Sequence, residues 1–256
     1  IVRQSQHQYW RKVNLHSTRG IIQDSKGNAL VISDLVPSFA ADPSLLEEKD
    51  LEKISGMIPD DLAAKIREAM GTKSQFMWLE HKVKDEKASL KYKSLTENFR
   101  AFIEIDEPYR KYTNENLMAH VLGFCDTDNR GQAGIEQVWD SVLYDPPMQK
   151  TVVRRQGNQP TSFLIGQDTE RRVTPSVTLT VDSRIQYVVE KHLFKTAQEN
   201  KAKWAASICM NPNTGEILAM ASRPSYNPNR FWDYEPEIWK NRAVSFIYEP
   251  GSTFKT

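Results

Sequence analysis

Two short apolar runs on either side of a polar turn predict a β-hairpin near the start of the chain. Residues 21–22 form a short apolar run, and residues 29–32 form a second one. Between them, residues 24–28 read Asp-Ser-Lys-Gly-Asn, with turn formers at both ends. We therefore expect two strands joined by a turn in which Gly27 takes a positive φ.

Helical spacing appears first after Pro59. Apolar side chains recur every four residues at Leu62, Ile66 and Met70, and a glycine follows as a helix stop. The stretch before it, residues 43–58, is helical or irregular by the same criteria. This region therefore predicts one amphipathic helix.

Looser alternation between residues 75 and 105 predicts strands around a lysine-rich stretch. Within it, residues 99–105 have the strongest strand pattern. Residues 114–122 then predict a short helix that stops at Gly123.

The last third of the chain has the clearest periodicity. Residues 177–181 predict a strand, and Asp182 or Ser183 can cap the helix that follows. The apolar positions of this helix share one face: Ile185, Val188, Val189 and Leu193. Residues 204–210 and 216–221 predict two strands, which the short loop between them makes a hairpin.

Residues 145–175 divide the chain because they are polar, rich in turn formers and without clear periodicity. We place a domain boundary near Pro175, with a first domain at residues 1–174 and a second at residues 175–256. Both domains mix strands with helices, so the sequence predicts the α+β class.

Composition excludes several classes of function. The 34 basic and 33 acidic residues nearly cancel, so no charge field predicts a nucleic-acid or membrane-surface partner. The two cysteines and five histidines lack metal-ligand spacing. The sequence contains no run of about 18 apolar residues, the length that a membrane-spanning helix requires. Because the chain starts at Ile1 and ends inside a motif, we expect it to be a segment of a longer protein.

One tetrapeptide near the end of the chain has the spacing of a nucleophile and its base. In a helix, Ser252 and Lys255 project from the same face, which brings an amine within reach of a hydroxyl. A serine hydroxyl needs an adjacent base to act as a nucleophile. A lysine can be that base if burial or a nearby positive charge lowers its pKa. Chance alone gives about one S-x-x-K in such a sequence. The flanking residues must therefore decide whether this motif is catalytic or a chance match.

Those flanks resemble a known family. Residues 241–256 read Asn-Arg-Ala-Val-Ser-Phe-Ile-Tyr-Glu-Pro-Gly-Ser-Thr-Phe-Lys-Thr and resemble the nucleophile segment of penicillin-binding transpeptidases. Residues 211–229 resemble the hairpin that precedes this segment, and residues 179–186 resemble the first strand and helix of the same domain. Three matches in the expected order make the resemblance specific.

The first domain resembles the pedestal, or dimerisation, domain of class B penicillin-binding proteins. Residues 19–30 resemble its opening motif, and residues 120–124 and 131–136 resemble later motifs. No glycosyltransferase domain precedes them, which argues against class A. The resemblance implies structural roles at six positions: Arg19, Gly20, Asp24, Gly131, Gly134 and Glu136. We expect Arg19 and Glu136 to form a buried or half-buried polar network rather than to touch substrate.

Two departures from the family pattern concern the subfamily. Residues 110–114 lack the proline expected after the aromatic residue, and residues 143–160 lack the glycine-rich pattern usual after the G-x-x-G-x-E motif. The implied fold is a pedestal of strands and short helices, followed by the truncated first part of a β-lactamase-like transpeptidase domain.

The resemblance implies an acyl-enzyme mechanism for the parent protein. Ser252 attacks the D-Ala–D-Ala carbonyl of a peptidoglycan stem peptide, Lys255 takes its proton, and an amine of a neighbouring stem resolves the acyl-enzyme. β-Lactams mimic the dipeptide and trap this intermediate. We expect no metal or organic cofactor.

The family also implies a location and partners. We expect a cell-membrane protein with an N-terminal anchor helix absent here, an extracytoplasmic position for these residues, and docking to division or elongation machinery. In the family, the motifs S-x-N and K-[ST]-G follow the nucleophile segment, and neither follows Ser252 within residues 1–256, so we expect this segment alone to be inactive.

Two alternatives stay open. The first is a β-lactam sensor, which shares the acyl-serine chemistry without cross-linking. The second is a non-catalytic scaffold that docks cell-wall synthesis partners through exposed aromatic side chains, the candidates being Phe231, Trp232, Tyr234 and Trp239. We favour interior packing for these aromatic residues.

Overall fold

The structure, a computed structural model, describes residues 10–15, 18–72, 74–145, 148–153, 163–164 and 174–254. Contacts divide the chain into two compact units. The first comprises residues 1–17, 34–109 and 146–171, and the second comprises residues 18–33, 110–145 and 172–256. This division follows contacts rather than sequence order, and the boundary near Pro175 stays a prediction. Most of the polar stretch at residues 145–175 lies outside the described residues.

The described residues contain strands and helices in mixed order. The strands are β1 (Trp10–Leu15), β2 (Ile22–Gln23), β3 (Ala29–Ala41), β4 (Met77–Glu80), β5 (Phe102–Tyr112), β6 (Met148–Val153), β7 (Phe163–Leu164), β8 (Val177–Thr178), β9 (Ala205–Met210) and β10 (Ile217–Arg223). The α-helices are α1 (Glu48–Ile54), α2 (Asp60–Gly71), α3 (Glu86–Asn98), α4 (Ala119–Leu122), α5 (Gly134–Val138), α6 (Asp140–Leu143), α7 (Ser183–Glu199), α8 (Pro236–Trp239) and α9 (Arg242–Ser245). Short 3₁₀ helices occur at Pro43–Leu45, Pro228–Asp233 and Gly251–Phe254.

The strands form three sheets. Strands β1, β6 and β7 make an antiparallel sheet in that order. A five-stranded sheet has the order β4-β3-β2-β8, and β5 also pairs with β3. Within it, β8 runs parallel to β2, with Ile22 opposite Val177. Strands β9 and β10 form a separate antiparallel hairpin.

The predicted first hairpin is confirmed. Strands β2 and β3 pair antiparallel, with Ile22 opposite Val31. Gly27 has a φ of +83° in the connecting turn, the left-handed conformation that glycine adopts at little cost. The side chain of Asp24 accepts the backbone N–H groups of Lys26 and Asn28, which closes the turn from inside.

The first unit has its own apolar core. Helix α2 matches the predicted helix, and its Leu62 and Ile66 are buried there. Phe39 of β3 stacks on Tyr92 of α3 with ring centroids 4.9 Å apart. The strand and the helix are therefore joined by a large aromatic contact.

The prediction of strands throughout residues 75–105 is wrong for its middle part, because residues 86–98 form helix α3. Asp85 accepts the N–H of Ala88 as an N-cap, and Tyr92 and Leu95 are buried one turn apart. Lysine, leucine and alanine favour helix, and this outweighed the loose alternation. The strand expected at residues 99–105 is present from Phe102 onward as β5.

Two predictions for the second unit hold with changed bounds. The short helix expected at residues 114–122 is confirmed only as α4, which ends at Gly123 with a φ of +76°. The expected strand at residues 177–181 is reduced to β8. Strands β9 and β10 confirm the predicted hairpin near the end of the chain.

Helix α7 forms with its predicted N-cap, since Asp182 accepts the N–H of Arg184. Its packing face, however, differs from the predicted one. Val188 is 52% exposed, whereas the polar side chains of Gln186 and Glu190 are buried. Gln186 turns inward because it bonds to both backbone groups of Met220 in β10, at 2.8 Å each.

The aromatic residues near α8 pack largely as expected. Phe231, Tyr234 and Trp239 lie against the apolar cluster of the second unit, while Trp232 is exposed. Phe231 stacks on Phe124 at 4.1 Å between ring centroids. Among the described helices, none is both long and apolar enough to cross a bilayer.

Helix α3 offers a matched test of the first core. Leu95 is fully buried and Leu90 is 60% exposed on the same helix. We expect Leu95→Ala to lower the free energy of unfolding by about 2–5 kcal/mol, because it leaves a cavity. Leu90→Ala should change it by about 0.5 kcal/mol or less. Urea denaturation of both variants measures this difference, and equal losses would contradict the burial of Leu95.

Candidate active site and its supporting cluster

The candidate nucleophile lies on the last described turn of the chain. Ser252 is exposed in the 3₁₀ turn Gly251–Phe254, six residues after the end of α9. Gly251 starts this turn with a φ of +54°, a left-handed conformation that a residue with a Cβ enters only with strain. Lys255 lies outside the described residues. The expected approach of its amine to Ser252 therefore stays a prediction.

A cleft in the second unit is a different feature. It has a volume of about 910 Å³, and Ser252 does not line it. Its walls include the aromatic residues Phe124, Phe231 and Trp239 together with His120. Burial lowers the pKa of His120, and the ring nitrogen Nε2 lies 2.9 Å from the carbonyl of Ile238. The cleft is thus mainly apolar. No group of metal-ligating side chains occurs in the described part of the chain.

The predicted pairing of Arg19 with Glu136 is present. Arg19 Nε donates to Glu136 Oε2 at 2.6 Å, and both side chains are buried. Arg19 Nη2 also donates to the backbone carbonyl of Glu136 at 2.7 Å, and Nη1 donates to Asp140 Oδ1 at 2.6 Å. Burial alone would lower the pKa of Arg19, but the charge of Glu136 and the hydrogen bonds to Glu136 and Asp140 together help to outweigh burial, and the pKa is raised.

A second arginine completes the cluster. Arg110 Nε donates to Glu136 Oε1 at 2.7 Å, so the carboxylate is shared between two guanidinium groups. Arg110 Nη1 also donates to the carbonyl of Gly20 at 2.7 Å and to Ser33 Oγ at 3.0 Å. A buried carboxylate with both oxygens paired avoids the cost of an unpaired charge.

Two of the predicted glycines are required by close backbone approaches. A Cβ on Gly131 would lie 2.0 Å from the carbonyl oxygen of Glu136. Gly134 has a φ of +57°, and a Cβ there would lie 2.6 Å from the backbone nitrogen of Gly123. The N–H of Gly131 donates to Asp140 at 2.9 Å. Together with Arg19 and Glu136, these glycines therefore form one cluster.

The remaining two predicted positions connect this cluster to the start of α7. The N–H of Gly20 donates to the carbonyl of Leu143 at 2.9 Å. Asp24 is fully buried and accepts Ser183 Oγ at 2.6 Å and Ser183 N at 3.3 Å, in addition to its bonds within the turn. Burial would raise the pKa of Asp24, but hydrogen bonds from Asn28 and Ser183 outweigh it and lower the pKa.

Sequence reasoning missed Arg110 and Asp140 as members of the cluster. A signal for Arg110 is available, because it lies at an inward position of β5 between the buried residues Pro108 and Tyr112. An arginine on the inward face of a strand needs a carboxylate partner. Asp140 gives no comparable signal, since its partners come from residues 19 and 130–131.

Comparison with known protein families shows which family the chain belongs to. The model of the penicillin-binding protein dimerisation domain matches residues 14–169, more than half of the chain. The model of the penicillin-binding protein transpeptidase domain matches residues 205–256. The chain belongs to the class B penicillin-binding proteins.

Curated relatives of this class B penicillin-binding protein carry transpeptidase names. The "Probable peptidoglycan D,D-transpeptidase PenA" of Neisseria gonorrhoeae is 34% identical over 252 residues, 94% of this chain and 42% of that protein. The "Peptidoglycan D,D-transpeptidase FtsI" of Escherichia coli (strain K12) is 28% identical over 265 residues, 100% of this chain and 44% of that protein. The chain thus spans less than half the length of these relatives.

Solved structures agree on the fold of this penicillin-binding protein. Penicillin Binding Protein 2X from Streptococcus thermophilus gives a TM-score of 0.60 at 18% identity, over 93% of this chain and 38% of that one. A peptidoglycan synthetase from Bifidobacterium adolescentis ATCC 15703 gives 0.56 at 22% identity, over 95% and 48%. The predicted α+β class is therefore confirmed.

Because two arginines share the carboxylate of Glu136, we expect a conservative substitution there to lower the free energy of unfolding strongly. Glu136→Gln replaces the shared carboxylate with a neutral amide, so that Arg110 faces no charged partner there and Arg19 keeps only Asp140; we expect it to lower the free energy of unfolding by about 3–5 kcal/mol. Glu237→Gln is the matched control, because Glu237 pairs with Lys240 on the surface. It should leave the free energy of unfolding nearly unchanged. Thermal unfolding of both variants checks the contrast, and a stable Glu136→Gln variant would contradict it.

The buried carboxylate of Asp24 predicts that its contact with Ser183 at the start of α7 weakens at acidic pH. Its pKa is lower in the folded chain than in the unfolded chain, where it is about 3.9. Its contribution to stability is therefore complete above that value and is lost as pH falls through the lower, folded value. We expect Asp24→Asn to lower the free energy of unfolding by about 1–3 kcal/mol at neutral pH. We also expect the stability of this variant to fall less steeply at acidic pH than that of the wild-type protein.

Urea denaturation of the Asp24→Asn variant at several acidic pH values tests this expectation. Asp34→Asn serves as the control, because Asp34 is exposed on β3. If Asp24→Asn loses stability at acidic pH as steeply as the wild-type protein, other carboxylates cause that loss and the expectation is wrong.

Proposed function

We propose that the whole protein cross-links peptidoglycan by D,D-transpeptidation through an acyl-serine intermediate, with Ser252 as nucleophile. Membership of the class B penicillin-binding proteins carries this proposal, together with an exposed serine in an S-x-x-K motif. The curated relatives named above are peptidoglycan D,D-transpeptidases, which supports the same reaction for this chain.

In the proposed acylation, Ser252 Oγ attacks the carbonyl carbon of the penultimate D-Ala of a stem peptide. Lys255, one helical turn away by its spacing, takes the hydroxyl proton. An ester bond forms between Ser252 and this carbonyl, and the bond to the terminal D-Ala breaks. That residue leaves as the free amino acid after its nitrogen gains a proton.

In the proposed second step, an amine of a neighbouring stem peptide attacks the ester carbonyl. A new amide bond forms, Ser252 regains its proton, and the two stems are cross-linked. A β-lactam mimics D-Ala–D-Ala and leaves a stable ester on Ser252. The exposure of Ser252 at the start of a turn favours access for both kinds of acyl donor.

We propose the remaining chain to be a structural support. The cluster around Glu136 fixes the backbone near Gly20, and Asp24 bonds to the first residue of α7. Arg19, Glu136 and Asp24 therefore act on the fold and not on the substrate. Docking to division or elongation machinery and an N-terminal membrane anchor, with these residues outside the cytoplasm, belong to the same proposal.

Labelling with a fluorescent penicillin tests the proposed nucleophile. We expect the whole protein to form a covalent adduct at Ser252, and Ser252→Ala to lose essentially all labelling, because Ser252 is the nucleophile of the proposed reaction and no other serine in residues 1–256 has the S-x-x-K spacing. Ser245→Ala is the control, since Ser245 is exposed on α9, seven residues away. It should label like the wild-type protein.

Two outcomes of this assay are decisive. Undiminished labelling of Ser252→Ala would falsify the assignment of the nucleophile. Labelling without cross-linking of stem peptides when an acceptor amine is supplied would support a β-lactam sensor in place of a transpeptidase.

A further inference from the structure

Met220 in β10 is the point at which helix α7 and the segment before α9 meet. Its backbone N–H and carbonyl both pair with the side-chain amide of Gln186, at 2.8 Å each. Its side chain makes a further contact, because the Nδ2 group of Asn241 donates to Met220 Sδ at 3.2 Å. Asn241 is half-buried and immediately precedes α9, the short helix that leads to the turn of Ser252. The sulphur of Met220 therefore links β10 to the approach to the candidate nucleophile.

Asn241 also closes the first turn of α9. Its Oδ1 accepts the N–H of Ala243 at 3.1 Å, which makes it the N-cap of this helix. Its backbone carbonyl accepts the N–H of Ser245 at 3.0 Å and Ser245 Oγ at 2.7 Å. Because α9 has only four residues, it is too short to be stable on its own. Its position therefore depends on contacts with the rest of the unit.

A second contact holds the other end of α9. The ring of Phe246, the residue after this helix, lies on Trp204 with ring centroids 4.3 Å apart. Trp204 directly precedes β9, so α9 is attached to the hairpin at both ends. Beyond Phe246 the chain is open, since Ile247 is 94% exposed and Tyr248 is 63% exposed. The direction in which the chain approaches Ser252 is therefore set at α9.

The contact of Asn241 with Met220 goes beyond what an N-cap requires. Serine or aspartate would cap α9 equally well, because a cap needs only a side-chain oxygen. Asparagine adds an N–H donor, and this donor is turned toward β10. The orientation of the amide is determined, since its oxygen already faces the N–H of Ala243. A thioether is a weak acceptor, so we expect this contact to orient the segment more than it stabilises the fold.

We propose that Asn241 is a positioning residue for Ser252. It ties the start of α9 to Met220 and thereby fixes the path along which the chain reaches the nucleophile. This inference rests on the proposed acylation of Ser252 and names a residue that acts on it through α9, without touching the substrate. Displacing a reacting group by about 1 Å can lower a rate by about 100-fold, so a small change in this contact has a measurable effect.

A double-mutant cycle in the whole protein tests the contact. Asn241→Ser keeps a side-chain oxygen for the cap but loses the amide donor, and Met220→Leu removes the sulphur at nearly constant volume. Stopped-flow measurements with a fluorescent penicillin give the Kd of the non-covalent complex and the first-order rate constant of acylation. We expect each single variant to lower this rate constant about three- to tenfold and to leave Kd within about twofold. The double variant should be no slower than the slower single variant, because the contact is already lost.

Met210→Leu is the matched control, since it makes the same exchange at an exposed methionine of β9. It should be acylated at the wild-type rate. Thermal unfolding of the variants separates positioning from folding. Because the serine hydroxyl retains the cap, the melting temperature of Asn241→Ser should stay close to that of the wild-type protein while its acylation slows. Each single variant tests the contact without the other.

Three outcomes would overturn this inference. They are a wild-type rate constant in either single variant, losses that multiply in the double variant, and a change confined to Kd. If the wild-type protein carries the adduct at Ser252, each of these outcomes leaves the proposed function intact. If the wild-type protein forms no adduct at Ser252, the proposed function fails, and this inference fails with it.

Discussion

The carboxylate of Glu136 divided between two arginines is the interaction on which the second unit depends. Arg19 is 117 residues away in the chain and Arg110 is 26 residues away, yet each reaches a different oxygen at 2.6–2.7 Å. Burying three charges is costly, and the cost is offset only when all three are in place with good geometry. The cluster therefore favours one arrangement of residues 18–33, 110–112 and 129–140 and penalises the others.

The order imposed by this cluster reaches the second half of the chain through backbone contacts. Arg110 binds the carbonyl of Gly20, and the next carbonyl, that of Ile21, accepts the N–H of Val177 in β8. Strand β2 then turns at Asp24, whose carboxylate binds Ser183 at the start of α7. Each step joins residues that are at least 90 positions apart in sequence. A defect at Glu136 would consequently affect helix α7, which precedes the residues that match the transpeptidase model.

Local features of the sequence predicted the elements that local physics determines. The turn around Gly27, the helix between Asp60 and Gly71, and the cap at Asp182 all depend on neighbours within a few residues. The strand prediction failed at residues 86–98, where helix propensity and the cap at Asp85 outweighed weak alternation. Asp140 escaped notice because its partners come from distant segments.

Helix α7 shows why the buried face of a helix can differ from the face that its apolar residues predict. Its apolar positions predict one buried stripe, yet Gln186 and Glu190 face inward while Val188 is largely exposed. Gln186 pairs with the half-buried backbone of Met220, and Glu190 pairs with the buried N–H of Met118, which an aliphatic side chain cannot do. Hydrogen bonds are directional, so this contact fixes the position of the helix along β10 more narrowly than apolar packing alone.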